Sequence, residues 1–117
     1  MVCLSPIYDI RRKGRRKIQK EMIIWIRGER GVGKTTLAKE LQTKIKGSAL
    51  LDGDDMRASI SMDLGFSDVD RLENNKRIAR LAKVLNEQGL DVIVATICPE
   101  KIKQEVYYIC KCRFIDL

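Results

Sequence analysis

Runs of apolar residues alternate along this chain with stretches whose apolar positions recur every three or four residues, and that alternation sets the expected fold. Met22 to Arg27, "MIIWIR", is a short apolar run closed by Gly28, the pattern of a buried parallel strand. In "KTTLAKELQTKIKG" Leu37, Ala38, Leu41 and Ile45 fall on one helical face, and Gly47 supplies the stop. A second strand is expected over Ala49 to Leu51, running into an acidic turn, "DGDD". The long segment 68–89 predicts a helix capped by Asp68, with Leu72, Ile78, Leu81, Ala82 and Leu85 on its apolar face and Gly89 at its end. "DVIVATICP" predicts a third strand halted by Pro99. A helical or irregular piece, "EKIKQEVYYICK", and a fourth strand within "CRFIDL" complete the pattern.

Strands alternating with helices define an α/β fold with parallel βαβ units, right-handed crossovers and helices on both faces of the sheet. Ligands of such sheets bind beyond the carboxyl ends of the strands. The residues after Gly28, after Asp52 and after Thr96 all lie there, so they are expected to line one cleft.

Length and charge refine this. The chain has 117 residues, enough for one core. Its 23 Lys and Arg exceed its 16 Asp and Glu, but seven of those cations lie between Arg11 and Lys20, and without them the count is 16 against 16. Residues 1–21 therefore read as a basic arm and 22–117 as the domain. The arm has the charge to meet a polyanion, but no aromatic side chains interleave it, and a solvated lead-in is the first reading. No nucleic-acid or membrane partner is expected. No run suits a signal peptide or a membrane span, and Cys3, Cys98, Cys110 and Cys112 follow no disulfide or zinc spacing. A soluble, cytoplasmic protein is the expectation.

The sharpest motif is "GERGVGKT", residues 28–35, which matches G-x-x-x-x-G-K-[ST] between a strand and a helix. Gly28, Gly31 and Gly33 let the backbone curl so that successive N–H groups face inward, and the following helix adds its positive end. The guest this geometry selects is a polyphosphate, with Lys34 reaching its outer phosphates and the Thr35 hydroxyl on Mg²⁺. At the end of the second strand Asp52, Asp54 and Asp55 could hold Mg²⁺ through water or accept a proton from an attacking hydroxyl. The alternative is a solvated turn. Arg57, Arg71 and Arg77 are candidates to clamp an anionic acceptor. Taken alone, Phe66 reads as a core residue and Asn74 as a helix-surface amide.

Together "LLDGDDMR", "DLGFSDVDRLENNKRIA" and "VIVATICP", with "IIWIRG" ahead of the loop, resemble the adenylyl-sulfate kinase family, from Ile24 to about Pro99. The resemblance implies a three-layer P-loop NTPase fold with a mainly parallel sheet, truncated at its C-terminus. It also implies transfer of the ATP γ-phosphate to the 3′-hydroxyl of adenylyl sulfate in sulfate assimilation, with ATP and Mg²⁺ as cofactors. By position, Gly28, Gly31, Val32, Gly33, Lys34, Thr35 and Thr36 would hold the ATP phosphates, with Lys34 catalytic and Thr35 and Asp54 at the metal. Asp52 and Asp54 match the acceptor-site aspartates, Asp54 being the choice for activating the 3′-hydroxyl. Arg57, Arg71 and Asn74 match residues that bind adenylyl sulfate, Phe66 the aromatic that stacks on its adenine, and Ile97 a residue near the same base.

The chain departs from the family's pattern at Cys98, where serine is usual, and at Glu29 and Arg30, where Leu-Ser is usual. The family's arginine-rich stretch after the proline is reduced to "EKIKQ", and the sequence stops at Leu117, ahead of the family's basic lid. Two other readings stand beside the kinase: a nucleotide-binding module with weak catalysis, completed by a partner chain or a second copy, and a kinase for another small hydroxyl acceptor.

Overall fold

The computed structural model describes residues 22–117. The basic segment Arg11 to Lys20 and Cys3 lie outside the described residues. The elements run β1 (Ile23–Arg27), α1 (Lys34–Lys44), β2 (Ala49–Asp52), α2 (Gly53–Arg57), α3 (Asp68–Glu87), β3 (Val92–Thr96), α4 (Glu100–Cys110) and β4 (Arg113–Asp116).

The four strands form one parallel sheet in the order β2-β3-β1-β4. β1 and β3 are the inner strands, with Trp25 opposite Val94 and Arg27 opposite Thr96. Alternation along them explains why both read as unbroken apolar runs: odd and even positions each meet a helical layer. Ile23, Trp25, Val92 and Val94 face α3 and α4, packing with Ile78, Ala82, Ile102 and Val106. Ile26, Ile93 and Ala95 face the other way onto Ala38, Leu37 and Leu41 of α1. The result is the expected three-layer α/β sandwich. Each fully buried Ile or Val stabilises it by roughly 1.5–3 kcal/mol. Among the described residues no helix is long and apolar enough to cross a membrane.

Three local expectations are corrected. The acidic stretch after β2 is not an open turn but the short helix α2, because the Asp52 side chain accepts from the Asp54 N–H at 2.9 Å and caps it. The cap of α3 is Ser67, whose side chain accepts from the Asp70 N–H, and Asp68 is the first helical residue. Its buried positions include Asn74 and Asn75 as well as Ile78, Ala79 and Ala82, so the surface reading of Asn74 fails: this turn of α3 is turned into the protein. The stretch left open between helix and irregular structure is helical over Glu100–Cys110.

Candidate active site

β1 delivers its carboxyl end to the glycine loop, and α1 begins as the loop closes. Gly31 and Gly33 adopt φ of 83° and 94°, values that L side chains rarely take, so both glycines are required by the path of the chain. Gly33 is the N-cap of α1 and supplies no side-chain cap, leaving the first amides of the helix directed at the cleft without one. Uncapped helix amides and the positive end of the dipole together favour an anion. The Lys34 ammonium crosses the loop and donates to the Glu29 carbonyl at 2.8 Å.

From the neighbouring β2 comes Asp52. Its Oδ1 caps α2 and its Oδ2 accepts from the Thr35 hydroxyl at 3.1 Å. A hydroxyl and a carboxylate side by side at the mouth of an anion-binding loop are a hard-oxygen pair of the kind Mg²⁺ prefers. The residues present thus fit Mg²⁺ and a polyphosphate. It is Asp52, rather than Asp54, that meets Thr35; Asp54 is exposed and pairs with Arg57, Nη1 to Oδ1 3.3 Å.

Across the cleft the Arg57 guanidinium stands against the Phe66 ring, 4.4 Å from its carbon to the ring centroid, while its Nε donates to the Gly65 carbonyl at 3.3 Å. Phe66 is 57% exposed, so it is not a core residue; the cation beneath it holds it at the surface. Gly31, Lys34, Thr35, Asp52, Asp54 and Arg57 line one cleft of about 150 Å³. Phe66 and Ile97 close its far side, with Arg30, Gly53, Ala95 and Thr96 completing the wall.

Eight other candidates do not line that cleft, among them Asp55, which is exposed on α2. Val32 packs its Cγ2 over Gly28, where an added Cβ would come within 2.7 Å of it. Gly28 itself borders a second depression with Arg27, Cys98 and Leu117. Gly33 and Thr36 belong to the loop end and the first turn of α1. Arg71 and Asn74 sit three residues apart on one side of α3, and each carries a buried polar atom with no hydrogen-bond partner: Nε of Arg71 and Oδ1 of Asn74. Orphaned buried polar atoms are costly unless a ligand meets them. Arg77, by contrast, is committed elsewhere. It forms a two-pronged pair with Asp63 (2.7 and 3.0 Å), meets Glu73 and donates to the Ile60 carbonyl, so it pins the segment before Phe66 to α3.

Arg27, at the end of β1, holds the chain after β3: it donates to the Cys98 carbonyl (2.9 Å), Glu100 (2.8 Å) and Asp116 (2.7 Å). That pairing, joined by Lys103, holds the Asp116 carboxyl down at about 2. Burial pushes the Cys98 thiol up to about 12, an effect that Arg27 and Lys103 partly offset. Cys110 and Cys112 are buried free thiols. Sequence reasoning missed Arg27, Thr96 and Asn75. Their roles depend on partners far away in the chain, and no local pattern carries that signal.

A parallel sheet whose central strand feeds a glycine loop, a Lys-Thr pair and an uncapped helix defines a phosphate-binding-loop nucleotide enzyme fold. Comparison with known proteins narrows the class. Residues 20–115 match the family model described as adenylylsulphate kinase, and the chain belongs to that family. It is 49% identical over 87 residues to the adenylyl-sulfate kinase of Pseudomonas aeruginosa, covering 71% of this chain and 44% of that protein. Against the Aeromonas hydrophila adenylyl-sulfate kinase the identity is 38% over 102 residues, 84% of this chain and 52% of the relative. Among solved structures, the Mycobacterium tuberculosis APS kinase CysC in complex with AMPPNP and APS superposes with a TM-score of 0.68 at 31% identity, covering 83% of this chain and 61% of that one. The chain spans about half the length of these two curated relatives.

Proposed function

We propose that residues 22–117 form the donor-binding and acceptor-binding part of an adenylyl-sulfate kinase, which transfers the γ-phosphate of ATP to the 3′-hydroxyl of adenylyl sulfate. The observation that carries the reading is the pairing of Thr35 with Asp52 at the loop mouth, opposite the Arg57–Phe66 stack. One side suits a metal-bound polyphosphate, the other an aromatic base and an anionic tail.

Phosphoryl transfer demands in-line positioning and neutralisation of charge more than covalent work by the protein. The loop amides and Lys34, released from the Glu29 carbonyl, hold the donor phosphates. Thr35 holds Mg²⁺, with Asp52 behind it; the ion, when bound, spreads the charge of the outer phosphates. Asp54 takes the 3′-hydroxyl proton, and Arg57 orients that carboxylate through the ion pair described above. Phe66 offers its exposed ring to the adenine, Ile97 packs beside it, and Arg57, Arg71 and Asn74 receive the phosphosulfate. The orphaned Nε of Arg71, a donor, supports this last role. The CysC relative, described as a complex with AMPPNP and APS, supports both ligands.

The test is transfer of label from γ-labelled ATP with Mg²⁺ and adenylyl sulfate, with Asp54→Asn as control. Label in 3′-phosphoadenylyl sulfate, lost in the control, is the expected result. Mg-ATP binding without transfer would replace the kinase reading with that of a nucleotide-binding module. Transfer to a nucleoside or sugar in preference to adenylyl sulfate would reassign the acceptor.

A further inference from the structure

Beneath the cleft runs a chain of buried polar groups that the catalytic scheme leaves unused. Trp25, wholly buried in β1, donates its indole N–H to the Thr96 hydroxyl at 2.9 Å. That hydroxyl donates to Asn75 Oδ1 at 2.8 Å, and the Asn75 amide nitrogen donates to the carbonyls of Arg71 (2.8 Å) and Ile97 (3.3 Å). The bookkeeping closes: the hydroxyl accepts once and donates once, and the carboxamide uses its oxygen and both its hydrogens. Closure fixes the orientation of Asn75, whereas its neighbour Asn74 retains an unmet oxygen.

Position makes this more than a core contact. β3 ends at Thr96, and both Thr96 and Ile97 line the cleft. One amide therefore grips both the last side chain of the strand and the first carbonyl beyond it. The Thr96 methyl in turn lies against Gly53, where an added Cβ would stand 3.4 Å from Thr96 Cγ2. Gly53 sits between Asp52 and Asp54, the two carboxylates of the site.

We propose that Asn75 is a positioning residue for the acceptor side of the cleft: by tying Thr96 to Ile97 and Arg71, it sets where β3 ends against the Asp52–Asp54 turn. The identity of the ligand rests on the kinase reading above, whereas the positioning itself does not. Asn75→Asp replaces two donors with acceptors facing two carbonyls. Thr96→Val removes the hydroxyl while keeping its shape, and Thr96→Ser keeps the hydroxyl.

Two readouts separate the claims. In amide NMR spectra, Asn75→Asp and Thr96→Val should shift Gly53, Asp54, Ile97 and Cys98 while Gly31 to Thr35 stay; Thr96→Ser, which keeps the hydroxyl but loses the methyl against Gly53, should leave Ile97 and Cys98 in place and move Gly53 alone. In titrations, the first two variants should lose about tenfold in affinity for adenylyl sulfate, the effect of one unmet buried hydrogen bond. Mg-AMPPNP affinity should hold within about twofold, and Thr96→Ser should recover acceptor affinity. Equal loss of both ligands, or unmoved Gly53 and Asp54 amides, would overturn the proposal. If the wild type binds Mg-AMPPNP but not adenylyl sulfate, the kinase reading fails and the amide map alone decides the positioning. Should both disruptive variants fail to fold, exchange in the wild type decides it: slow, separately resolved Asn75 amide protons support the clamp, and rapid exchange overturns it.

Discussion

The Thr35 hydroxyl and the Asp52 carboxylate, 17 residues apart in sequence, meet at 3.1 Å across the mouth of the glycine loop. This contact joins the glycine-loop half of the cleft to the half that carries Asp54, since the same carboxylate caps α2.

Lys34→Ala and Asp52→Asn should therefore fail in different ways. Loss of the ammonium removes a charged hydrogen bond to phosphate, so Mg-AMPPNP affinity should drop about 10- to 100-fold. Loss of the Asp52 charge should instead raise the Mg²⁺ concentration needed for nucleotide binding by about 10-fold or more, as for a residue behind a metal ligand. Calorimetric titration of AMPPNP at several Mg²⁺ concentrations checks both. Unchanged binding in Lys34→Ala would remove the phosphate-loop assignment.

Arg71→Ala is expected to weaken adenylyl sulfate by about 10-fold or more while leaving Mg-AMPPNP within about twofold. Competition titrations with the two ligands on one protein sample provide the comparison. Parallel loss of both would move the acceptor site away from α3.

Acid stability follows from Arg27 and Asp116. The Asp116 carboxyl lies at about 2 against an ordinary 3.8, with the Arg27 hydrogen bond as the main cause. A carboxyl depressed in the folded state stabilises the fold above its unfolded pKa and loses that contribution as pH falls toward the folded value. In urea unfolding, the gap between wild type and Arg27→Met should shrink as pH drops from 3.8 toward about 2. The Asp116 carboxylate is half exposed, so the gap is expected to be modest. A gap independent of pH would assign the effect to the packing of Arg27 over Phe114.

For Cys98 the sign is opposite. Its thiol is raised from 9.0 to about 12, chiefly by burial, so it stays protonated in the fold, and the linked stability is lost only as pH climbs through that range. Peptide mapping after iodoacetamide at about pH 8 should find Cys98 unlabelled in native protein and labelled in guanidinium. Rapid native labelling would contradict the burial.

Much of this was legible from the sequence because the signals are local. The loop motif, the apolar runs of β1 and β3 and the periodic face of α3 each need only a few consecutive residues. The errors arose where two structures share one signal. An aspartate that starts a turn also caps a helix, and so "DGDD" became α2; Ser67 and Asp68 are both good caps, and the earlier residue took the role. Other roles depended on distant partners. Arg77 has the charge of an acceptor clamp but is occupied by Asp63 and Glu73, and the role of Asn75 depends on Thr96 and Trp25, 21 and 50 residues away in the chain.

Trp25 is the single tryptophan of the chain. Its indole sits out of water in an inner strand, tied to one hydroxyl at the joint between β1 and β3. The molecule thus carries an optical probe at a known address. A ligand that displaces the end of β3 will alter the colour or intensity of that one emitter, and a ligand that leaves the joint undisturbed will not. Without any label, fluorescence can follow which half of the cleft fills first.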